Sequence, residues 1–122
     1  MGNDAILKPK ILSFAKRIVF AYQHLRDEKK EYVLSKQLLR SGTSIGANVA
    51  EAQYGSSRKD FLAKLYIALR ECAETLYWLE LLHSCNYFSH QEYQSLYSDC
   101  EELRKLLSAI TKSVRDGTIP NS

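Results

Sequence analysis

Apolar residues recur along this chain at three- and four-residue intervals in four separate stretches, the pattern of helices that each bury one face. The first stretch sets Ile11, Phe14, Ala15, Ile18, Tyr22 and Leu25 on one side of a helix over about residues 8–28. Pro9 then falls in a first turn, where its missing N–H is not needed. Arg26 to Glu31 hold no apolar residue and read as a short solvated connection. A second helix over about 32–54 carries Leu34, Leu38, Ile45, Val49 and Ala52 as its apolar stripe, with Gly55 placed to end it. Ser57 followed by Asp60 is a variant of the capping box and opens a third helix. It extends to about residue 86 behind Phe61, Leu65, Ala68, Leu69, Cys72, Leu76 and Leu79, and Asn86 suits a left-handed stop. Ser89 with Glu92 repeats the start signal for a fourth helix over about 90–115, whose apolar side is Tyr93, Leu96, Cys100, Leu103, Leu107, Ile110 and Val114. Gly117 terminates it, and Thr118 to Ser122 are expected to fray.

Short connections force consecutive helices to be neighbours, so the expected fold is all-α, an antiparallel up-down-up-down four-helix bundle forming a single domain over residues 1–122. A chain of 122 residues can bury a continuous core without disulfides or metals. Only two prolines and five glycines occur, too little punctuation for a many-stranded β fold.

The second helix carries three different surfaces. Beside its apolar stripe lie Gly42, Gly46 and Ala50 at four-residue spacing, and beyond them Gln37, Ser41, Ser44, Asn48 and Glu51 form a polar stripe flanked by Arg40. Each glycine costs a helix interior about 1 kcal/mol relative to alanine. Close approach of a neighbouring backbone is the expected compensation. The third helix also carries more apolar surface than one core face requires: Ile67, Glu71, Glu74, Trp78 and Leu81 form a second stripe, with Tyr66 and Tyr77 on its far side. Trp and Tyr outside a core stripe are enriched at protein interfaces. The stripe is therefore read as an oligomer surface, or else Trp78 closes one end of an irregular core. Buried carboxylates need partners, so Glu71 and Glu74 are expected to meet Lys or Arg across the contact, with Arg40 as a candidate.

Charge changes the picture in one respect. Residues 1–70 hold 13 Lys/Arg against 6 Asp/Glu and residues 71–122 hold 4 against 8, which together give the net +3. This asymmetry makes either a basic face for nucleic acid or oppositely charged neighbouring helices. The basic candidates are Lys29, Lys30, Lys36, Arg40, Arg58, Lys59, Lys64 and Arg70, with Tyr32, Tyr54 and Tyr66 interleaved. Lysine and arginine neutralise phosphates, and aromatic rings stack on unpaired bases. Lys29/Lys30 and Arg58/Lys59 fall in different connections, at opposite ends of an antiparallel bundle, so one continuous patch requires an oligomer.

Catalytic patterns are not found. Cys72, Cys85 and Cys100 are odd in number and lack the Cys-x-x-Cys spacing of zinc or redox sites, which points to reduced thiols in a cytoplasm. His24, His83 and His90 have no Cys, Asp or Glu at a metal-ligand spacing that recurs elsewhere, Glu-x-x-His motifs on two helices, as a di-iron bundle needs, do not occur, and Ser41, Thr43 and Ser44 have no nearby base. No phosphate-cradling glycine loop is present, and no run approaches the roughly 18 apolar residues of a membrane span. A non-enzymatic protein without cofactor or metal is expected.

Gln37-Leu-Leu-Arg-Ser-Gly-Thr-Ser-Ile-Gly-Ala-Asn-Val-Ala-Glu51, then Phe61, Ala68-Leu-Arg-Glu-Cys-Ala-Glu74 and Trp78-Leu79, resembles the four-helix-bundle family of 23S rRNA intervening-sequence proteins over most of the chain. Gln37, Arg40, Ser44, Ile45, Asn48, Ala50 and Glu51 match the family's usual residues, while Gly46 stands where proline is usual and Ala52 where glycine is usual. The resemblance implies a bacterial cytosolic protein and a ring-shaped homopentamer. It also implies a likeness to the accessory proteins of diversity-generating retroelements, in which a pentamer binds nucleic acid and a reverse transcriptase. Two functional readings follow: an accessory protein that binds rRNA or DNA, or a scaffold that recruits a protein partner through its oligomeric surface.

Overall fold

Four helices carry the chain in a computed structural model that describes residues 2–117, with side chains from residue 6 onward. They are α1 (Gly2–Asp27), α2 (Leu34–Ala52), α3 (Arg58–Ser84) and α4 (His90–Arg115), and no strand occurs among the described residues. Each helix packs on the one before and after it, and α1 closes the ring against α4. Contacts between neighbours fix their directions. Lys10 and Arg17 of α1 pair with Glu102 and Asp99 of α4 at 2.9 and 2.6 Å, so one chain position advances as the other retreats. Lys64, near the start of α3, reaches Glu51, near the end of α2, at 2.7 Å, and Thr75 farther along meets Ser41 farther back. His83 stacks on Tyr93 where α3 ends and α4 begins, while Cys100 lies against the Cys72 carbonyl deeper in the same pair. The fold is the all-α antiparallel bundle that the periodicity predicts.

One face of every helix fills the interior, where Ile18, Leu25, Leu38, Leu65, Leu79 and Leu107 are fully buried. The stripes read from the sequence meet there, with local differences. Ile11, Ala15, Tyr22, Leu34, Leu69 and Tyr93 are only half-buried, and Leu7, Thr75 and Leu82 join the core instead.

Helix ends differ from expectation in three places, each for a local reason. Helix α1 begins at Gly2 and not near residue 8, so Pro9 lies inside it, where the ring removes one backbone donor. Arg26 and Asp27 continue α1, and the tract after them is not wholly solvated: Glu31 is buried, with 9% of its surface exposed. Its carboxylate accepts the N–H groups of Val33, Leu34 and Ser35 at 3.3, 3.0 and 2.6 Å, and the Ser35 hydroxyl donates to its carbonyl at 2.8 Å. Glu31 thus satisfies the orphan donors that open α2, which has no side-chain cap at Val33. Helix α2 stops at Ala52, before Gly55, which is not left-handed. The left-handed positions are Lys30, Asn86 and Gly117. Both limbs of the Ser89/Glu92 box are formed, whereas at α3 the Ser57 hydroxyl accepts the Asp60 N–H and the Asp60 carboxylate turns to Ser56. The expectation of fraying at Thr118 to Ser122 lies outside the described residues.

Candidate functional site

The glycines of α2 face α1. A methyl group on Gly42 would fall 2.8 Å from both Cγ1 and Cγ2 of Ile18, and one on Gly46 would fall 2.7 Å from Ile11 Cγ2. Only hydrogen in place of a side chain lets these two helices approach so closely. Ala50, placed beside the glycines in sequence, is exposed and takes no part in the contact.

Along the seam between α2 and α3 the polar residues form a network within one chain. Arg40 donates to Glu71 at 3.4 Å and to Glu74, and the Trp78 indole N–H donates to the same Glu74 oxygen at 2.9 Å. Glu71 and Glu74 therefore find Arg40 of their own chain, because the antiparallel seam brings α2 within reach. Beneath them the Thr75 and Ser41 hydroxyls share a buried hydrogen bond of 3.0 Å. The remaining stripe hydroxyls and amides bond backward to their own helix: Thr43 to the Leu39 carbonyl, Ser44 to that of Arg40 and Asn48 to that of Ser44. Glu51 accepts Lys64, and Gln37 is exposed.

The arrangement leaves the surface of α3 open in different degrees. Ile67, Glu71, Glu74, Trp78 and Leu81 are all half-buried against their own bundle. The exposed positions beyond the first turn of α3 are Ala63, Tyr66, Arg70, Ala73, Tyr77, Glu80 and Ser84, and a shallow, mostly apolar groove lies among the first four between Ile67 and Leu69. Periodicity located the second stripe but could not tell which of its members the α2 seam would cover.

The basic candidates divide between the two ends of the bundle. Lys29, Lys30 and Lys36 lie exposed where α1 passes into α2, and they share that end with Glu28 and Glu92. Arg40 and Lys64 are in ion pairs on the α2–α3 seam, and Arg70 stands alone on the outer face of α3. Arg58 and Lys59 occupy the opposite end, beside the turn that follows α2. There the fold adds residues that sequence spacing did not associate with them. Arg58 Nη1 lies against Gly117 at the end of α4, which brings the exposed Lys112 and Arg115 to the same end. Arg115 is held by Tyr66 and Asp116, while Arg58, Lys59 and Lys112 form no ion pair among the described residues. Tyr54, on the adjoining turn, is 89% exposed.

Reactive and ligating groups do not converge. No group of three or more His, Cys, Asp or Glu is placed to hold a metal among the described residues. His24 faces Glu28 at 3.5 Å, and His83 stacks flat on Tyr93 at 4.2 Å with His90 beside it. The Cys100 thiol is pushed well above the ordinary range by its contact with Cys72 and by burial, which leaves it a poor nucleophile. Among the described residues no helix is long and apolar enough to cross a membrane.

The profile of the 23S rRNA-intervening sequence protein family matches residues 4–109. A solved structure of a protein with unknown function from the S23 ribosomal protein family of Bacteroides thetaiotaomicron is 53% identical, with a TM-score of 0.89 over 90% of this chain and 98% of that one. No curated protein matches the chain.

Proposed function

The chain belongs to the 23S rRNA-intervening sequence protein family, and from that premise we propose that it is a non-enzymatic, self-associating bundle that binds RNA or DNA through phosphate contacts. One observation carries the nucleic-acid part: Arg58, Lys59 and Lys112 gather at one end of the bundle without ion-pair partners among the described residues, beside the exposed Tyr54. Cations already neutralised within the fold, such as Arg40 and Lys64, have less to offer a phosphate than these three. Helix surfaces of this kind present no element shaped to read base edges, so affinity is dominated by the backbone and sequence preference is weak.

Self-association rests on the outer face of α3. Ala63 and Ala73 leave room for a helix to approach, and Tyr66 and Tyr77 supply the amphipathic rings that interface centres favour. The Arg40–Glu74–Trp78 network behind this face is internally satisfied, so the charge a neighbouring copy must match is that of Arg70 on the face itself. A closed ring, a pentamer as the family resemblance implies, would repeat the basic end around one rim and raise its avidity.

The scaffold reading draws on a different observation: α1 presents Leu12 and Phe20 to solvent at 60% and 64% exposure, apolar surface that a protein partner could cover. Filter-binding titrations with rRNA fragments and duplex DNA at two salt concentrations separate the two. Low-micromolar binding that weakens with salt and is lost in Arg58→Glu/Lys59→Glu, with the solution mass unchanged, supports direct contact. Absence of binding at low salt favours the scaffold.

A further inference from the structure

The turn between α2 and α3 is built to hold one aromatic ring in the open. Tyr54 lies two residues past the end of α2, and its backbone is tied down: its N–H donates to the Glu51 carbonyl at 3.0 Å, and the Gly55 N–H donates to that of Ala52 at 3.1 Å. Gly55 packs so tightly that a methyl group there would fall 3.2 Å from the Phe61 N and 3.3 Å from Asp60 Cβ, both in the first turn of α3. The Ser56 hydroxyl then donates to the Asp60 carboxylate at 2.5 Å, and the Ser57 hydroxyl accepts the Asp60 N–H at 3.1 Å. A fixed turn thus presents a ring at 89% exposure, without a stacking partner among the described residues, four residues before the consecutive cations Arg58 and Lys59. At the other end of the bundle Tyr32 is less exposed, and its neighbouring lysines share the surface with Glu28 and Glu92.

We propose that the Tyr54 ring is a stacking platform, with Arg58 and Lys59 as its phosphate clamp, so that this end of the bundle selects single-stranded over duplex nucleic acid. The inference rests on the nucleic-acid reading above and names the form of its ligand. Phosphates of either form satisfy the two cations, but only an unpaired base offers its face to a ring. In a duplex each base face is already covered by its neighbours. A ring on a rigid turn stacks with little ordering cost, the same reason rigid aromatics anchor other binding surfaces. The footprint is small, a base and its flanking phosphates per subunit, and the carboxylate next in sequence to the cations, Asp60, accepts the Ser56 hydroxyl.

The test uses the full chain and two fluorescein-labelled RNAs of equal length, a single-stranded oligouridine and a hairpin duplex, read by anisotropy at low salt. Wild type is expected to bind the single strand about tenfold more tightly. Tyr54→Ser should lose most of that advantage and leave duplex affinity unchanged, whereas Tyr54→Phe should keep it. Arg58→Glu/Lys59→Glu should weaken both. Because Tyr54 is exposed, its variants should melt like wild type, which separates a lost contact from a lost fold. Equal affinity for the two RNAs, or a Tyr54→Ser variant that retains the preference, overturns the stacking platform while nucleic-acid binding stands. Failure of wild type to bind either RNA overturns both.

Discussion

Replacing Gly42 by alanine adds one methyl group and tests whether α1 and α2 are in contact across the glycine. Two terms oppose each other. Alanine in a helix interior gains about 1 kcal/mol over glycine. Against this, the new methyl would lie 2.8 Å from both γ carbons of Ile18 and 3.1 Å from its Cδ1. Rotating Ile18 exchanges one γ carbon for another without clearing the space, and the side chain is fully buried, so it cannot swing outward. The helices must separate instead, and overpacking of this kind costs about 1–3 kcal/mol. The net expectation is a loss of about 1 kcal/mol, which lowers Tm by roughly 3–6 °C for a domain of this size. Gly46→Ala differs in a telling way, because its methyl meets a single atom, Cγ2 of Ile11, and that side chain is only half-buried. The propensity gain then offsets the strain, and stability should stay within about 1 kcal/mol of wild type. Far-UV circular dichroism melts at matched protein concentration read both effects. Ile18→Ala in the Gly42→Ala background provides the control, since the cavity it opens accepts the methyl and the double variant should be more stable than the two single losses added together. A raised Tm for Gly42→Ala, or simple additivity with Ile18→Ala, would refute a tight α1–α2 contact at this position.

Three further outcomes follow from other contacts. Glu31→Gln keeps the shape but removes the charge that three backbone N–H groups share, and should cost about 1–3 kcal/mol in urea denaturation. Burial pushes the Glu31 carboxyl up, but those N–H bonds outweigh it and hold the group below the usual carboxylate range. Its contribution is thus fully present above the unfolded value of about 4.3 and is lost as pH falls through the lower folded value, so the variant's stability should fall less steeply in acid than wild type's. Arg40→Ala leaves Glu71 and Glu74 without their cation, and because Arg40 is about half exposed the expected loss is modest, about 1 kcal/mol by thermal melt. Ala73→Glu places a charge in the outer groove of α3 without touching the core, and light scattering should show a smaller assembly with monomer-like helicity; an unchanged mass would move the interface to another face.

Much of the architecture was legible because helix periodicity and capping are local. Ser57, Ser89 with Glu92, and Asn86 each mark a terminus by chemistry that operates within a few residues. Glu31 was misread because a charged tract predicts solvent, although an acidic residue four positions before Ser35 carried a signal: an acid ahead of a first turn can accept several of its N–H groups. The glycine stripe announced a close approach but not its partner, since only the fold sets Gly42 on Ile18. The surfaces were least legible. Whether Glu74 looks inward or outward depends on the reach of Arg40 from another helix, and the company of Arg58 with Lys112 and Arg115 depends on where α4 ends. Charge counting along the chain sees neither.

Salt dependence of binding tests the proposed function most directly, because phosphate contact releases counterions in proportion to the cations engaged. With a labelled single-stranded RNA, the logarithm of the association constant is measured against the logarithm of salt concentration for wild type and for Arg58→Gln, Lys59→Gln and the double variant. The slope should be negative for wild type and should shrink by about 1 for each neutralised residue, with the solution mass unchanged. A slope near zero, or one that the Arg58 and Lys59 variants leave unaltered, would contradict nucleic-acid binding at this end of the bundle.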